Sequence, residues 1–152
     1  MPSQVLKTLS LAGLTPVRAQ VRVTDATYGL GTGVDLLCTR RDGKTTRHVI
    51  VEIKAGFNVP GAYDMSTGPM LRGLNDIPNS PRMQHKIQTV VTRALFMACH
   101  PEIAAVDACV LRVTDDGVHI HPVEKALFAK APLILSALAA TRDKTPTKSR
   151  RQ

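Results

Sequence analysis

Tryptophan is absent, and aromatic residues make up 3% of the 152-residue chain. So few flat π faces argue against an extended platform for stacking single-stranded bases. Cysteine is limited to Cys38, Cys99 and Cys109, with no Cys-x-x-Cys pair, which excludes the usual zinc-ribbon and dithiol redox patterns. All three lie in apolar surroundings and are expected to be reduced core residues, which favours an intracellular setting. No run of about 18 uncharged apolar residues occurs, and no basic stretch leads into a hydrophobic segment at the N-terminus. A soluble, unprocessed protein with no membrane contact is expected. A Walker-type phosphate cradle is also missing, because "YGLGTGVD" is followed by a strand pattern rather than a helix. No serine or cysteine triad can be argued from the spacing.

Acids are the scarcer charge: 12 Asp and Glu against 20 Lys and Arg give a net charge of +8. That balance suits a polyanionic partner. Half of the excess lies in "TRDKTPTKSRRQ", which has too little apolar area to fold and is expected to be a disordered basic tail over 141–152. Residues 1–140 then form one domain, a size that supports a single core.

The body alternates in element type. "SQVLKTLSLAGL" spaces Val5, Leu6, Leu9 and Ala12 as a helix, with Ser3 as N-cap and Gly13 as a stop. "VRAQVRVTD" has the two-residue period of a half-buried strand. The glycines of "YGLGTG" break the chain before a second strand, Val34 to Arg40, and "RDGK" turns it back into an antiparallel third, "RHVIVEIKA". Residues 56–79 have no clear period and read as a long loop, of the kind that serves as a lid or binding loop or else is disordered. Ser80 and Pro81 then start a helix whose buried face is Met83, Ile87, Val90, Val91, Ala94 and Met97. A hairpin around Asp116-Gly117 follows, with His119 and His121 on one face; no third ligand is apparent, so a hairpin exposing both is expected. The last helix divides at Pro132. The order α-β-β-β-α-β-β-α describes a mixed α/β (α+β) domain with a central sheet flanked by helices.

Two apolar strands carry charge where burial is expected. Successive strand residues face opposite ways, so Glu52 shares a face with Lys54 and Asp35 with Leu37, opposite Val34 and Leu36. Pairing through the "RDGK" turn lets Asp35 and Glu52 converge. Two carboxylates in a partly buried place repel unless a cation lies between them, and Mg2+ or Mn2+ prefers such oxygen donors. Asp35, Glu52 and the Ile53 carbonyl are the candidate metal ligands. Lys54 is the candidate catalytic cation, a set suited to phosphodiester hydrolysis. On the following helix Gln84, Gln88 and Thr92 form a stripe with His85 beside it, candidate contacts to the scissile phosphate or an adjacent base edge. Lys86 and Arg93 are candidate phosphate contacts, and Tyr63 and Arg72 could stack on a base and clamp a phosphate.

Residues 33–57, with "GVD" and then "EIK", resemble the PD-(D/E)xK nuclease superfamily. "VEIKAGF" followed by "NSPRMQHKIQ" is similar to its RecB and lambda-exonuclease-like branch, including small viral versions. The resemblance spans roughly residues 15 to 115. It implies a restriction-endonuclease-like core, a Mg2+- or Mn2+-dependent DNA nuclease, and an active-site glutamine at Gln88. Duplex or junction DNA is the expected partner, with homo-oligomerisation open. The alternative is a catalytically inactive nucleic-acid-binding module on the same scaffold. The chain departs from the pattern at Val34, where the motif has proline, and at Thr92, where some members have tyrosine. Residues 1–24 also contain no acid, whereas that branch often has a metal-binding glutamate in its first helix.

Overall fold

Gly43, with φ +62°, sits in the tight connection between two long strands, β2 (Leu30–Asp42) and β3 (Thr45–Ala55). Asp42 opposes Thr45 there, and the antiparallel ladder runs back to Leu36 opposite Val51. The computed structural model describes residues 2–70 and 73–143, with side chains from Ser3 to Thr141 apart from that gap. Its remaining elements are α1 (Pro2–Leu11), β1 (Thr15–Asp25), α2 (Pro81–Cys99), β4 (Val106–Thr114), β5 (Gly117–Pro122), α3 (Lys125–Phe128) and α4 (Ala131–Asp143). The five strands lie in the order β1-β2-β3-β4-β5. All neighbours are antiparallel except β3 and β4, which are parallel. A parallel pair requires a crossover, and the 56–80 loop with α2 supplies it. The result is the mixed α/β domain with a central sheet flanked by helices that the pattern implied. Arg72 and the basic tail from Lys144 onward lie outside the described residues.

Each face of the sheet has its own apolar cluster. Val21, Val23, Val34, Leu37, Ile50, Val106 and Ala108 pack toward α2 with Val90, Leu95 and Phe96. Leu9 and Leu14, on and just after α1, pack against Cys38, Val49, Val51, Cys109 and Leu111 on the opposite face. Phe96 is 1% exposed, and truncating such a side chain costs about 3–5 kcal/mol.

Ser80 caps α2 through its Oγ, which accepts from the Met83 amide at 3.2 Å, and Pro81 occupies the first turn. The buried side of this helix is rotated from the expected one. Val90 is fully buried, but Met83, Ile87, Val91, Ala94 and Met97 are only partly so, while Thr89, Thr92, Leu95 and Phe96 are sealed in. The threonines tolerate this because each hydroxyl donates to the carbonyl four residues back, Thr89 to His85 at 2.7 Å and Thr92 to Gln88 at 3.2 Å. Neither hydroxyl is then left unsatisfied.

Three further expectations change. Gly31 and Gly33 lie inside β2 instead of breaking it, and a Cβ on Gly31 would come within 3.2 Å of the Thr24 side chain. Val34 packs in the same cluster as Leu37 while Leu36 belongs to the other, so β2 switches faces at Asp35. Cys99 is exposed, its Sγ bonded to the Thr24 carbonyl at 3.0 Å. Cys38 and Cys109 are buried as expected, and burial pushes their thiols up to about 11 and about 12. The division at Pro132 holds: the helix breaks between Phe128 and Ala131. No helix among the described residues is long and apolar enough to cross a membrane.

Candidate functional site

The sheet forks at the residue where β2 switches faces. Beyond Leu36 opposite Val51, β2 pairs only with β1 and β3 only with β4. The fork leaves the Ile53 amide without a backbone partner on β2, and the Asp35 carboxylate takes its place, accepting that N–H at 2.9 Å. A side chain completes the ladder at the point where two backbones separate. Gln20, opposite this point on β1, adopts φ +55°, so the neighbouring strand is distorted at the same level.

Glu52 lies next to the fork and is 5% exposed. Its Oε1 receives the Lys54 ammonium at 3.1 Å and the Gln88 amide at 3.3 Å, while Oε2 is buried with no hydrogen-bond partner among the described residues. Burial raises its pKa first and the nearby Asp35 charge raises it further, against the opposing pull of Lys54. A buried, unpartnered carboxylate oxygen carries a desolvation cost that a bound cation would offset. Asp35, Glu52, Lys54 and Gln88 are therefore brought together, three from the fork and one from the helix that covers it. Among the described residues no cluster of three or more His, Cys, Asp and Glu side chains is placed to hold a metal. Two neighbouring carboxylates, Asp35 and Glu52, offer oxygen donors here, a chemistry that fits a hard cation that retains waters.

The other candidates separate. Gln84 is exposed and bonds Asn79 at 2.7 Å, whereas Thr92, expected on its stripe, is buried. Lys86 is 6% exposed, with its ammonium on Glu124. The Arg93 guanidinium donates to the Val106 carbonyl at 2.7 Å and lies 3.7 Å from the Phe128 ring centroid. Both cations are occupied holding α2 in place instead of facing a ligand. Tyr63 is 2% exposed, so its ring is closed to a base. Its hydroxyl bonds His85 Nδ1 at 3.1 Å, and the ring packs against Phe57, His121 and Arg112. Burial, followed by the Lys54 charge, lowers the His85 pKa.

The long loop is pinned to the fold by Tyr63 and Ile77, by the Pro69–Pro78 bridge, and by Arg82, whose amide meets the Tyr63 carbonyl at 3.0 Å. Only one of the two hairpin histidines is exposed. His119 is open, while His121 is half-buried, and burial with Arg82 and Arg112 nearby pushes it down to about 4. Sequence reading missed Arg112. It falls opposite Lys54 only because β3 and β4 are parallel in one particular register, and no local pattern encodes that.

No protein-family model matches the chain, and no curated protein does. Among solved structures, the chain resembles the crystal structure of a "Putative exonuclease" from Eubacterium rectale, with a TM-score of 0.52 and 13% identity over 95% of this chain and 54% of that one. A second structure, SSO0001, aligns at a TM-score of 0.41 and 15% identity over 93% of this chain and 58% of that one. The chain thus spans about half the length of the solved structures it matches. The first similarity is one of fold: a mixed sheet flanked by helices.

Proposed function

We propose that the protein is a metal-dependent DNA nuclease that hydrolyses phosphodiester bonds at the fork between β2 and β3. The observation that carries this reading is the convergence of Asp35, Glu52 and Lys54, with Glu52 Oε2 buried and unpartnered. A fold shared with a protein named as an exonuclease supports it, as does the +8 charge, which favours capture of a polyanion in a salt-dependent way.

Asp35, Glu52 and the Ile53 carbonyl would hold Mg2+ or Mn2+. When bound, such an ion supplies Lewis acidity, polarising the phosphate and lowering the pKa of a water. Asp35 is held in place by the Ile53 amide, so its orientation is fixed before any ligand arrives. Lys54 is 24% exposed at its side chain, and it can turn its ammonium toward charge building on the phosphoryl oxygens. Gln88 steadies Glu52 from above. Lys86 and Arg93 have no part in this scheme.

The first helix contains no acid, and it supplies no ligand in this scheme. Leu9 of α1 packs with Val49 and Val51, which alternate with Glu52 along β3, so α1 lies against the sheet face opposite that carboxylate.

A time course on circular and linear plasmid DNA with Mg2+, Mn2+ or EDTA tests the proposal. Cleavage that EDTA stops and Glu52→Gln abolishes is the expected result. Intact DNA under all three conditions would leave a binding module in place of an enzyme.

A further inference from the structure

The ladder sets Lys54 opposite Arg112, and Arg112 opposite His119. Residues opposed in neighbouring strands project from the same face, so one row of side chains leads away from Glu52 across β3, β4 and β5. At about 4.8 Å per strand the row covers about 10 Å. Along a nucleic-acid strand the rise is about 3.4 Å per nucleotide, so the row reaches a phosphate beyond the one at Lys54.

Its far end opens into a cavity of about 220 Å³ under the start of the long loop, lined by Phe57, Asn58, Tyr63, Arg112, Thr114 and His119 among others. Arg112 has no ion pair among the described residues. Its Nη1 donates to the Phe57 carbonyl at 3.2 Å, its guanidinium carbon lies 4.4 Å from the Tyr63 ring centroid, and its Nε is buried without a partner. A carbonyl and a ring fix this cation without neutralising it. Phe57 presents that carbonyl from a left-handed conformation, φ +59°. Asn58 Oδ1 accepts the Asp115 amide at 2.9 Å, which leaves the Asn58 side-chain NH2 as a donor. His119 is exposed, with Nε2 3.5 Å from Thr114 Oγ1. Of the acids lining the cavity, Asp64 is paired with Arg82 at 2.7 Å, and Asp116 lies in the β4–β5 turn.

We propose that this cavity is a phosphate subsite, in which Arg112, the Asn58 amide and His119 receive the anionic group of a nucleotide adjoining the one at Asp35, Glu52 and Lys54. The placement rests on reading that centre as the phosphodiester site. The full chain in EDTA provides the test, through resonance shifts on titration with inorganic phosphate and through anisotropy with a labelled octanucleotide. Phosphate should shift Asn58, Arg112 and His119. His119→Ala should weaken octanucleotide binding several-fold and Arg112→Gln about tenfold, while Glu52→Gln retains both signals. A preference for a 5′-phosphorylated octanucleotide identifies a terminal monoester as occupant, and equal affinity an internal diester. Absence of these shifts, or unchanged affinity in His119→Ala, overturns the subsite; that variant decides alone if Arg112→Gln does not fold. A chain that binds phosphate here yet leaves plasmid intact loses the hydrolase reading and keeps the subsite. One that cuts plasmid with unchanged His119→Ala affinity does the reverse.

Discussion

An acid and base cluster lies near each end of strand β3, and the two clusters are resolved in opposite ways. At its start, the Asp107 carboxylate receives Arg40 at 2.8 Å and a two-pronged contact from Arg47 at 2.9 Å on each oxygen. The Arg47 hydrogen bonds hold the Asp107 pKa below the usual carboxylate range. At its end, Glu52 has one oxygen shared by Lys54 and Gln88 and the other without a partner, and its pKa is raised. The first cluster is satisfied within the protein and contributes stability. The second costs stability and offers an acceptor, which is the pattern expected of a site kept for a ligand.

The sharpest way to break this contrast is to neutralise each carboxylate. Glu52→Gln should reduce plasmid cleavage by about a hundredfold or more while leaving the melting temperature unchanged or higher, because a buried charge is removed. Asp107→Asn should do the opposite: about 2 kcal/mol lost in urea unfolding, with cleavage retained.

The two carboxylates also differ in the sign of their pH dependence. Asp107, with its folded pKa depressed, contributes stability above its unfolded value and loses it as pH falls through the folded one. Glu52, with its folded pKa raised, disfavours the folded state increasingly as pH rises from the ordinary glutamate value through the raised one. Urea titrations should therefore show a flatter acid limb in Asp107→Asn and, in Glu52→Gln, loss of the wild type's decline in stability as pH rises from the ordinary glutamate value through the raised one.

Mn2+ at a hundredfold excess over its Kd should add about 2.7 kcal/mol to stability, measured by thermal shift, in the wild type and in Asp107→Asn but not in Glu52→Gln. A smaller effect is expected at Gln88, where Ala should slow cleavage by about tenfold, with metal binding retained. An equal Mn2+ shift in the Glu52 and Asp107 variants would erase the distinction between the two ends.

Much of the candidate site was legible in the sequence because one tight connection sets the count. With Asp42 opposite Thr45, the antiparallel arithmetic brings Asp35 to the level of Glu52, and alternation puts Lys54 on the same face. The helix start at Ser80 and Pro81 was readable from local chemistry in the same way. The face of α2 was not. Its apolar residues suggested one side, but Thr89 and Thr92 satisfy their own hydroxyls and so can be buried. Lys86, Arg93 and Tyr63 were read as solvent-facing because charge and hydroxyl usually are; Glu124, Val106 and His85, distant in sequence, hold them inward.

Composition, strand period and turn chemistry by themselves determined most of the elements, their order and the approach of Asp35 to Glu52, since all of these depend on neighbours within a few residues or across one short turn. Tertiary structure alone decided the fork that frees the Ile53 amide for Asp35, the burial of Glu52 beneath α2, and the register of β3 against β4 that aligns Lys54 with Arg112 and His119. The physical reason is that a parallel pairing is joined through a loop and a helix, and packing of that crossover on the sheet sets the register, which no local pattern records.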